Sequence, residues 1–109
     1  FLVLSSPIHS YPMLDKFKVL VEKKDFDNAR KKLEDYLKTT SEGFRNNQNA
    51  NKLFSYYYFH LSLHEWRRGN LKIASLNMDR ALSKAPENIE IQKARAQLYI
   101  ESNQWRNAF

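Results

Sequence analysis

The chain contains no cysteine, which excludes disulfide bonds and any metal site or nucleophile that depends on a thiolate. Its 109 residues include only two glycines and three prolines, the two residue types that most often interrupt helices. No apolar run approaches the roughly 20 residues that a membrane-spanning helix needs. These absences predict an all-α chain that forms one small domain or part of a larger protein.

Basic residues outnumber acidic ones, with 18 Lys and Arg against 12 Asp and Glu and a formal net charge of +6. Such an excess allows attraction to acidic partners or to nucleic acid. The basic residues are scattered, however, and mostly alternate with acids, as in the segment KKLEDYLK. This arrangement is typical of a solvated helix surface and favours it over a nucleic-acid interface.

The N-terminal segment, residues 1–10, combines an apolar start with small residues and a proline. Two interpretations stay open: the end of a secretory signal peptide with its cleavage zone, or an extended segment that docks Phe1, Leu2 and Leu4 on the first helices. The protein would be periplasmic or secreted in the first case, whereas a cytoplasmic location fits the second. Because the last residues begin a helix without completing it, we expect a longer parent protein.

Apolar residues at helical spacing divide the rest of the chain into five helices and the start of a sixth. The five are predicted to span about 11–23, 26–39, 52–68, 71–84 and 89–102. The sixth begins within NQWRNAF, residues 103–109. Asp25 and Asn70 are predicted to cap the second and fourth helices, and Gly69 is a natural left-handed residue at the end of the third.

Small and large residues recur with a period of about 34 residues. In one unit the pattern is formed by Gly69, Ala74, Met78, Ala81, Leu82 and Pro86. In the helix ahead, the matching positions hold Tyr58, Leu61 and Ser62. One period later the small residues and a tyrosine return at Ala96, Tyr99 and Ala108. The spacing resembles the tetratricopeptide repeat family, with Glu65 standing where the family has an aromatic residue.

The resemblance implies a right-handed α-solenoid of antiparallel helix pairs, with about two full units and a truncated third. The repeat domain would cover residues 11–109, in units of about 11–40, 52–86 and 88–109, with residues 40–51 as an inserted linker. Helices cross closely where side chains are small. The predicted crossings are Ser62, Ala74, Ala81 and Ala96. Since stacked pairs complete each other's core, an uncovered C-terminal end would allow self-association.

Residues His60 and His64 have the i, i+4 spacing of two zinc ligands on one helix face. A metalloprotease motif would place a glutamate directly after the first histidine, whereas Glu65 follows the second. No third ligand is evident by spacing. The sequence also contains no phosphate-binding glycine loop, nucleophile elbow or paired-carboxylate site. We therefore predict that the chain is not an enzyme, and that it has no catalytic residues, no metal site and no cofactor.

Two apolar stripes follow the third helix. The first consists of Phe54, Tyr58 and Leu61, and the repeat pattern assigns it to packing between helices. The second stripe consists of Tyr56, Phe59, Leu63 and Trp66. The resemblance implies that this second stripe faces the concave surface, where its aromatic rings would suit anchors for a partner. The predicted contact residues are Tyr56, Phe59, Leu63, Trp66, Arg67, Lys93 and Gln97.

The sequence thus predicts a protein-interaction scaffold that binds a peptide or helix of another protein in the concave groove. One alternative function is a structural segment of a larger envelope or secretion assembly. Another, with less support from the charge pattern, is a basic helical-repeat module that binds nucleic acid. Whether the second stripe faces solvent also stays open, because the linker, the N-terminal segment or the first repeat could cover it. If it faces solvent, replacing Phe59 and Trp66 should leave the melting temperature nearly unchanged.

Overall fold

The structure, a computed structural model, describes residues 12–39 and 48–102, and within these ranges all regular structure is α-helical. The helices are α1 (Pro12–Glu22), α2 (Phe26–Thr39), α3 (Gln48–Arg67), α4 (Leu71–Lys84) and α5 (Ile89–Glu101). The prediction of an all-α chain is therefore confirmed for these ranges. The chain divides into two compact units, Phe1–Phe44 (unit 1) and Arg45–Phe109 (unit 2).

The helix bounds agree closely with those predicted, except at the start of α3. Helices α2 and α4 have the predicted ends, whereas α3 begins at Gln48, four residues earlier than expected. The additional turn buries Ala50, which gives it an apolar contact that a free linker would lack. The predicted N-terminal segment (1–10), most of the linker (40–47) and the sixth helix (103–109) lie outside the described residues.

A tight turn connects α1 to α2 in unit 1. Lys24 adopts a left-handed backbone conformation with φ of 66°. Its amide donates to the Val21 carbonyl at 3.0 Å, and the Asp25 amide donates to the Leu20 carbonyl at 2.8 Å. These two bonds satisfy carbonyls at the end of α1. The Asp25 side chain accepts from the Asn28 amide nitrogen at 3.4 Å and from its side-chain nitrogen at 2.9 Å, as expected of an N-cap.

The turn between α3 and α4 in unit 2 has the same geometry. Gly69 takes the left-handed conformation with φ of 83°, as predicted, and its amide donates to the Trp66 carbonyl at 3.0 Å. The Asn70 amide donates to the Glu65 carbonyl at 2.9 Å. Asn70 occupies the N-cap position of α4 as predicted, but its side chain makes no capping bond; its side-chain nitrogen donates to Glu65 Oε1 at 2.7 Å.

The two helix hairpins repeat with an offset of 45 residues. Helix α2 begins and ends 45 residues before α4, and the left-handed residues Lys24 and Gly69 have the same separation. The buried residues on the second helices correspond as well, with Ala29 matching Ala74. A second correspondence has the shorter period, since α5 ends 34 residues after α3.

Separate substitutions at the two left-handed positions should change stability in opposite directions. Lys24→Gly is expected to raise the free energy of unfolding by about 0.5–1 kcal/mol, because glycine adopts this conformation without the strain of a Cβ atom. Gly69→Ala is expected to lower it by about 1 kcal/mol. A Cβ at Gly69 would meet no atom within 4 Å, so backbone strain alone would act. Urea denaturation followed by circular dichroism measures both effects, and a destabilising Lys24→Gly would contradict the turn geometry.

The core of unit 2 lies where α3, α4 and α5 meet. Its buried cluster consists of Ala74, Met78, Ala81, Ile91 and Leu98. On the α3 side, the Ser62 hydroxyl donates to the Ala74 carbonyl at 2.6 Å and the Ser55 hydroxyl donates to the Ala81 carbonyl at 3.0 Å. Because the earlier residue of α3 contacts the later residue of α4, the two helices are antiparallel. Small side chains thus occupy the close approach of the two helices, as predicted for Ser62, Ala74 and Ala81.

Helix α5 is held by its cap and by α4. The Asn88 side-chain oxygen accepts from the Ile91 amide at 3.0 Å, which satisfies a free donor in the first turn.

No helix within residues 12–39 and 48–102 has the length and apolar content to cross a membrane.

Candidate functional site

An open groove of about 810 Å³ lies in unit 2 between the first half of α3 and the connection from α4 to α5. On one side it is lined by what we call the α3 wall: Lys52, Tyr56, Phe59 and His60. The opposite side is the α5 wall: Lys84, Ala85, Pro86, Glu87, Asn88, Glu90 and Ile91. The groove therefore combines apolar surface with charged residues.

Helical spacing places the aromatic residues of the α3 wall together. Lys52, Tyr56 and His60 follow one another at intervals of four residues, so they form one row along α3. The ring centroids of Tyr56 and His60 are 4.4 Å apart, and those of Phe59 and His60 are 5.6 Å apart at an interplanar angle of 79°. Edge-to-face contacts of this kind order the rings relative to one another. The α3 wall is therefore a continuous aromatic surface with Lys52 at one end.

Charges are distributed unequally between the two walls. Glu87 and Glu90 are both exposed, and neither forms an ion pair or hydrogen bond with any part of the chain that the structure describes. The Lys84 ammonium lies 5.5 Å from the ring centroid of Phe54, a residue that does not line the groove. Lys84 itself lines the groove, so the α5 wall carries two carboxylates and one ammonium, with an excess of negative charge, and Lys52 is the cation of the α3 wall.

The second stripe is divided by the structure between the groove and the core. Tyr56 and Phe59 line the groove, whereas Phe59, Leu63 and Trp66 pack against the buried cluster of unit 2. Half-buried contacts with this cluster give these three residues an intramolecular role that the sequence interpretation did not assign. Within the described part of unit 2, this cover comes from α4 and α5.

Trp66 and another predicted contact residue, Gln97, both bind the Glu101 carboxylate. The Trp66 Nε1 donates to Glu101 Oε1 at 2.7 Å, and the Gln97 side-chain nitrogen donates to Glu101 Oε2 at 3.0 Å. The bond from Gln97 and the bond from Trp66 lower the pKa of the Glu101 carboxyl. The remaining predicted residues, Arg67 and Lys93, are exposed and belong neither to the groove nor to this cluster.

A polar cluster that the sequence interpretation missed joins α4 to α5. Asp79 Oδ1 accepts from Arg95 Nε at 2.7 Å, and Asp79 Oδ2 accepts from the Tyr99 hydroxyl at 2.6 Å. The Arg95 guanidinium also lies 4.5 Å from the centroid of the Tyr99 ring. The spacing of Arg95 and Tyr99, one helical turn apart, was the available signal, but their acceptor lies on another helix.

Alkaline pH should weaken this cluster. Burial, the hydrogen bond to Asp79 and the negative charge of Asp79 raise the pKa of Tyr99 above its ordinary value of 10.0. Because the pKa of Tyr99 is higher in the folded than in the unfolded chain, the stabilisation from its neutral hydroxyl is complete below about pH 10. It is lost as the pH rises through the folded-state pKa. Tyr99→Phe is therefore expected to cost about 1 kcal/mol at pH 7 and progressively less above pH 10 or so. Urea denaturation across this range tests it, and a pH-independent difference would contradict it.

Several groove residues were not predicted as contacts. His60 was considered as a metal ligand, and Lys52, Glu87 and Ile91 were not assigned. The row from Lys52 to His60 could have been recognised by its spacing, whereas the α5 wall required knowledge of how α5 packs. Among residues 12–39 and 48–102, no three His, Cys, Asp or Glu side chains are grouped so as to hold a metal ion.

Comparisons of this chain with protein-family models, with curated proteins and with solved structures find no match. Function is therefore inferred from the contacts and charges of its own residues.

Proposed function

We propose that this chain is a protein-interaction module of the tetratricopeptide-like solenoid type. In this proposal, a short segment of a partner protein binds in the groove between the α3 wall and the α5 wall. The observation that carries the proposal is the groove itself, whose volume of about 810 Å³ falls within the range typical of ligand sites.

The solenoid part of the proposal is supported by the internal repeats. Two hairpins with the same turn geometry lie 45 residues apart, and the ends of α3 and α5 lie 34 residues apart. The second separation equals the period of a tetratricopeptide repeat. Small buried residues at the crossing of α3 and α4 also fit that family.

The binding part is supported by the size and chemistry of the groove. Its α3 side extends from Asn51 to His60, a length of about 14 Å at the helical rise. This length accommodates about four residues of an extended peptide or between two and three turns of a helix. The side chains of Tyr56, Phe59 and Ile91 offer apolar contacts, and rigid aromatic residues of this kind commonly supply much of the binding energy at protein interfaces.

The alternative functions have less support. A nucleic-acid module would need a continuous basic surface, whereas the groove includes Glu87 and Glu90. A structural role in a larger envelope or secretion assembly has no specific residue in its favour. The exposed Ile89 and Ile100 on α5 are compatible with self-association, which stays a prediction.

Removal of the Tyr56 ring tests the proposal. A phage-displayed library of random short peptides is selected on the wild-type protein, and the enriched peptides are then measured against Tyr56→Ala. We expect affinity to fall about tenfold, the typical loss for an aromatic anchor. Tyr56 does not belong to the buried cluster, so stability should change little.

Ile73→Ala is the matched control, because Ile73 is an exposed apolar residue on α4 that does not line the groove. It should leave peptide affinity unchanged. Enriched peptides that bind Tyr56→Ala as tightly as the wild type would place binding elsewhere, and a selection without enrichment would refute the proposal.

A further inference from the structure

The groove has two walls of opposite charge. Lys52 is exposed on the α3 wall and has no ion pair or hydrogen bond within the two described ranges. Glu87 and Glu90 carry the negative charges of the α5 wall, and neither has an ion pair or hydrogen bond within those ranges. Since unpaired charges at an interface are complemented by the partner, the groove favours a ligand with different charges on its two sides.

Two neighbouring features bear on this distribution. Lys84 also lines the groove, with its ammonium 5.5 Å from the ring centroid of Phe54, so it offsets one of the two glutamates and leaves the α5 wall with an excess of negative charge. Glu90 lies in the first turn of α5, a position where the helix dipole favours a negatively charged side chain.

We propose that the groove selects an amphipathic helical segment of a partner protein whose apolar stripe has acidic residues on the side of Lys52 and basic residues on the side of Glu87 and Glu90. This inference rests on the proposed function. The apolar stripe contacts Tyr56, Phe59 and Ile91, and the flanking charges set which way the helix lies in the groove. A polyanion such as nucleic acid would be repelled by the α5 wall.

Exposed ion pairs contribute little individually, so their main effect is to discriminate between ligands of similar shape. A helix with basic residues on both sides would place one set against Lys52. A helix with acidic residues on both sides would place one set against the two glutamates. Each is expected to bind about three- to tenfold more weakly than the helix with mixed flanks.

Three designed peptides test the inference. They share one leucine stripe and a length of about 15 residues, near which isolated helices become stable. Their flanks are acidic on both sides, basic on both sides, or acidic on one and basic on the other. We expect the wild-type protein to bind the mixed peptide most tightly in a fluorescence anisotropy titration, and the differences should diminish at high ionic strength.

Charge reversal of each wall should change the preferred peptide. In Glu87→Lys with Glu90→Lys both walls are basic, so the acidic peptide should bind most tightly. In Lys52→Glu both walls are acidic, so the basic peptide should do so. Lys72→Gln is the control, because Lys72 is an exposed lysine of α4 that does not line the groove, and it should leave the order of affinities unchanged.

The outcomes separate this inference from the proposed function. Equal affinities of the wild type for the three peptides, or an order that charge reversal leaves unchanged, would overturn the inference. If those peptides still lost affinity on Tyr56→Ala, the groove would remain the binding site. If the wild type bound none of the three peptides, the inference would be overturned, and the display selection would decide separately on the groove.

Discussion

Replacing Phe59 and Trp66 together with alanine is expected to lower the free energy of unfolding by about 3–5 kcal/mol. Both side chains pack against the buried cluster of unit 2, and Trp66 also donates a hydrogen bond to Glu101 at 2.7 Å. Removal of two large, half-buried rings exposes the cluster and leaves space that α4 and α5 cannot fill completely. Urea denaturation monitored by circular dichroism measures the loss. If the second stripe faced solvent, which is one of the two possibilities that the sequence leaves open, almost no loss would be expected.

Tyr56→Ala is the matched control for this experiment. Tyr56 belongs to the same stripe and lines the groove, but it is not part of the packing against the cluster. Its replacement should therefore reduce peptide binding and leave the stability of unit 2 nearly unchanged. Wild-type stability of the Phe59 and Trp66 double variant would mean that the cluster does not depend on these rings, and the whole stripe would return to the binding surface.

The second large effect is expected at the crossing of α3 and α4. Ala74→Leu should lower the free energy of unfolding by about 3 kcal/mol, because Ala74 has 0% exposed surface and the added atoms would separate the helices. The Ser62 hydroxyl contacts the Ala74 carbonyl at 2.6 Å, so the separation would also break this bond and leave a buried hydroxyl unsatisfied.

Lys72→Leu is the control on the same helix, since Lys72 is exposed and a leucine at this position stays on the surface. Thermal denaturation of both variants tests the prediction. If Ala74→Leu were as stable as Lys72→Leu, the close approach of the two helices would lie elsewhere along α4.

Helix positions could be predicted from the sequence because their causes are local. The apolar spacing of α2 and α4, Asp25 before α2, and Gly69 after α3 act within a few residues. The start of α3 was predicted four residues too late because local signals there are weak. Its first residues are polar, and only the burial of Ala50 shows that this turn packs against the protein.

The faces of α3 could not be assigned in this way. The sequence left open whether the second stripe is free or covered. In the structure α3 packs on α4 and on the cluster that α5 completes, so its covered face includes part of that stripe. Tyr57 belongs to neither stripe and yet has only 6% of its surface exposed. Periodicity reveals that a helix is amphipathic, and it does not reveal how many neighbours cover it.

The groove shows the same limit. Tyr56 and Phe59 were predicted as contacts from their position on one helix, whereas the acidic α5 wall comes from residues about 30 positions later in the chain. The cluster of Asp79, Arg95 and Tyr99 likewise joins side chains of two helices. Contacts between distant residues depend on how the helices pack, which single-helix patterns do not contain.

The sequence by itself determined the helical class of this protein, the positions of most helix ends and the small residues at which α3 and α4 cross, because these follow from propensity, capping and side-chain volume. The tertiary structure alone decided which aromatic residues of α3 support the core and which line the groove. It also decided that Lys52 and the two glutamates of the α5 wall lie on opposite sides of that groove. Burial and charge complementarity are properties of the space between elements, and this space exists only when the helices have packed.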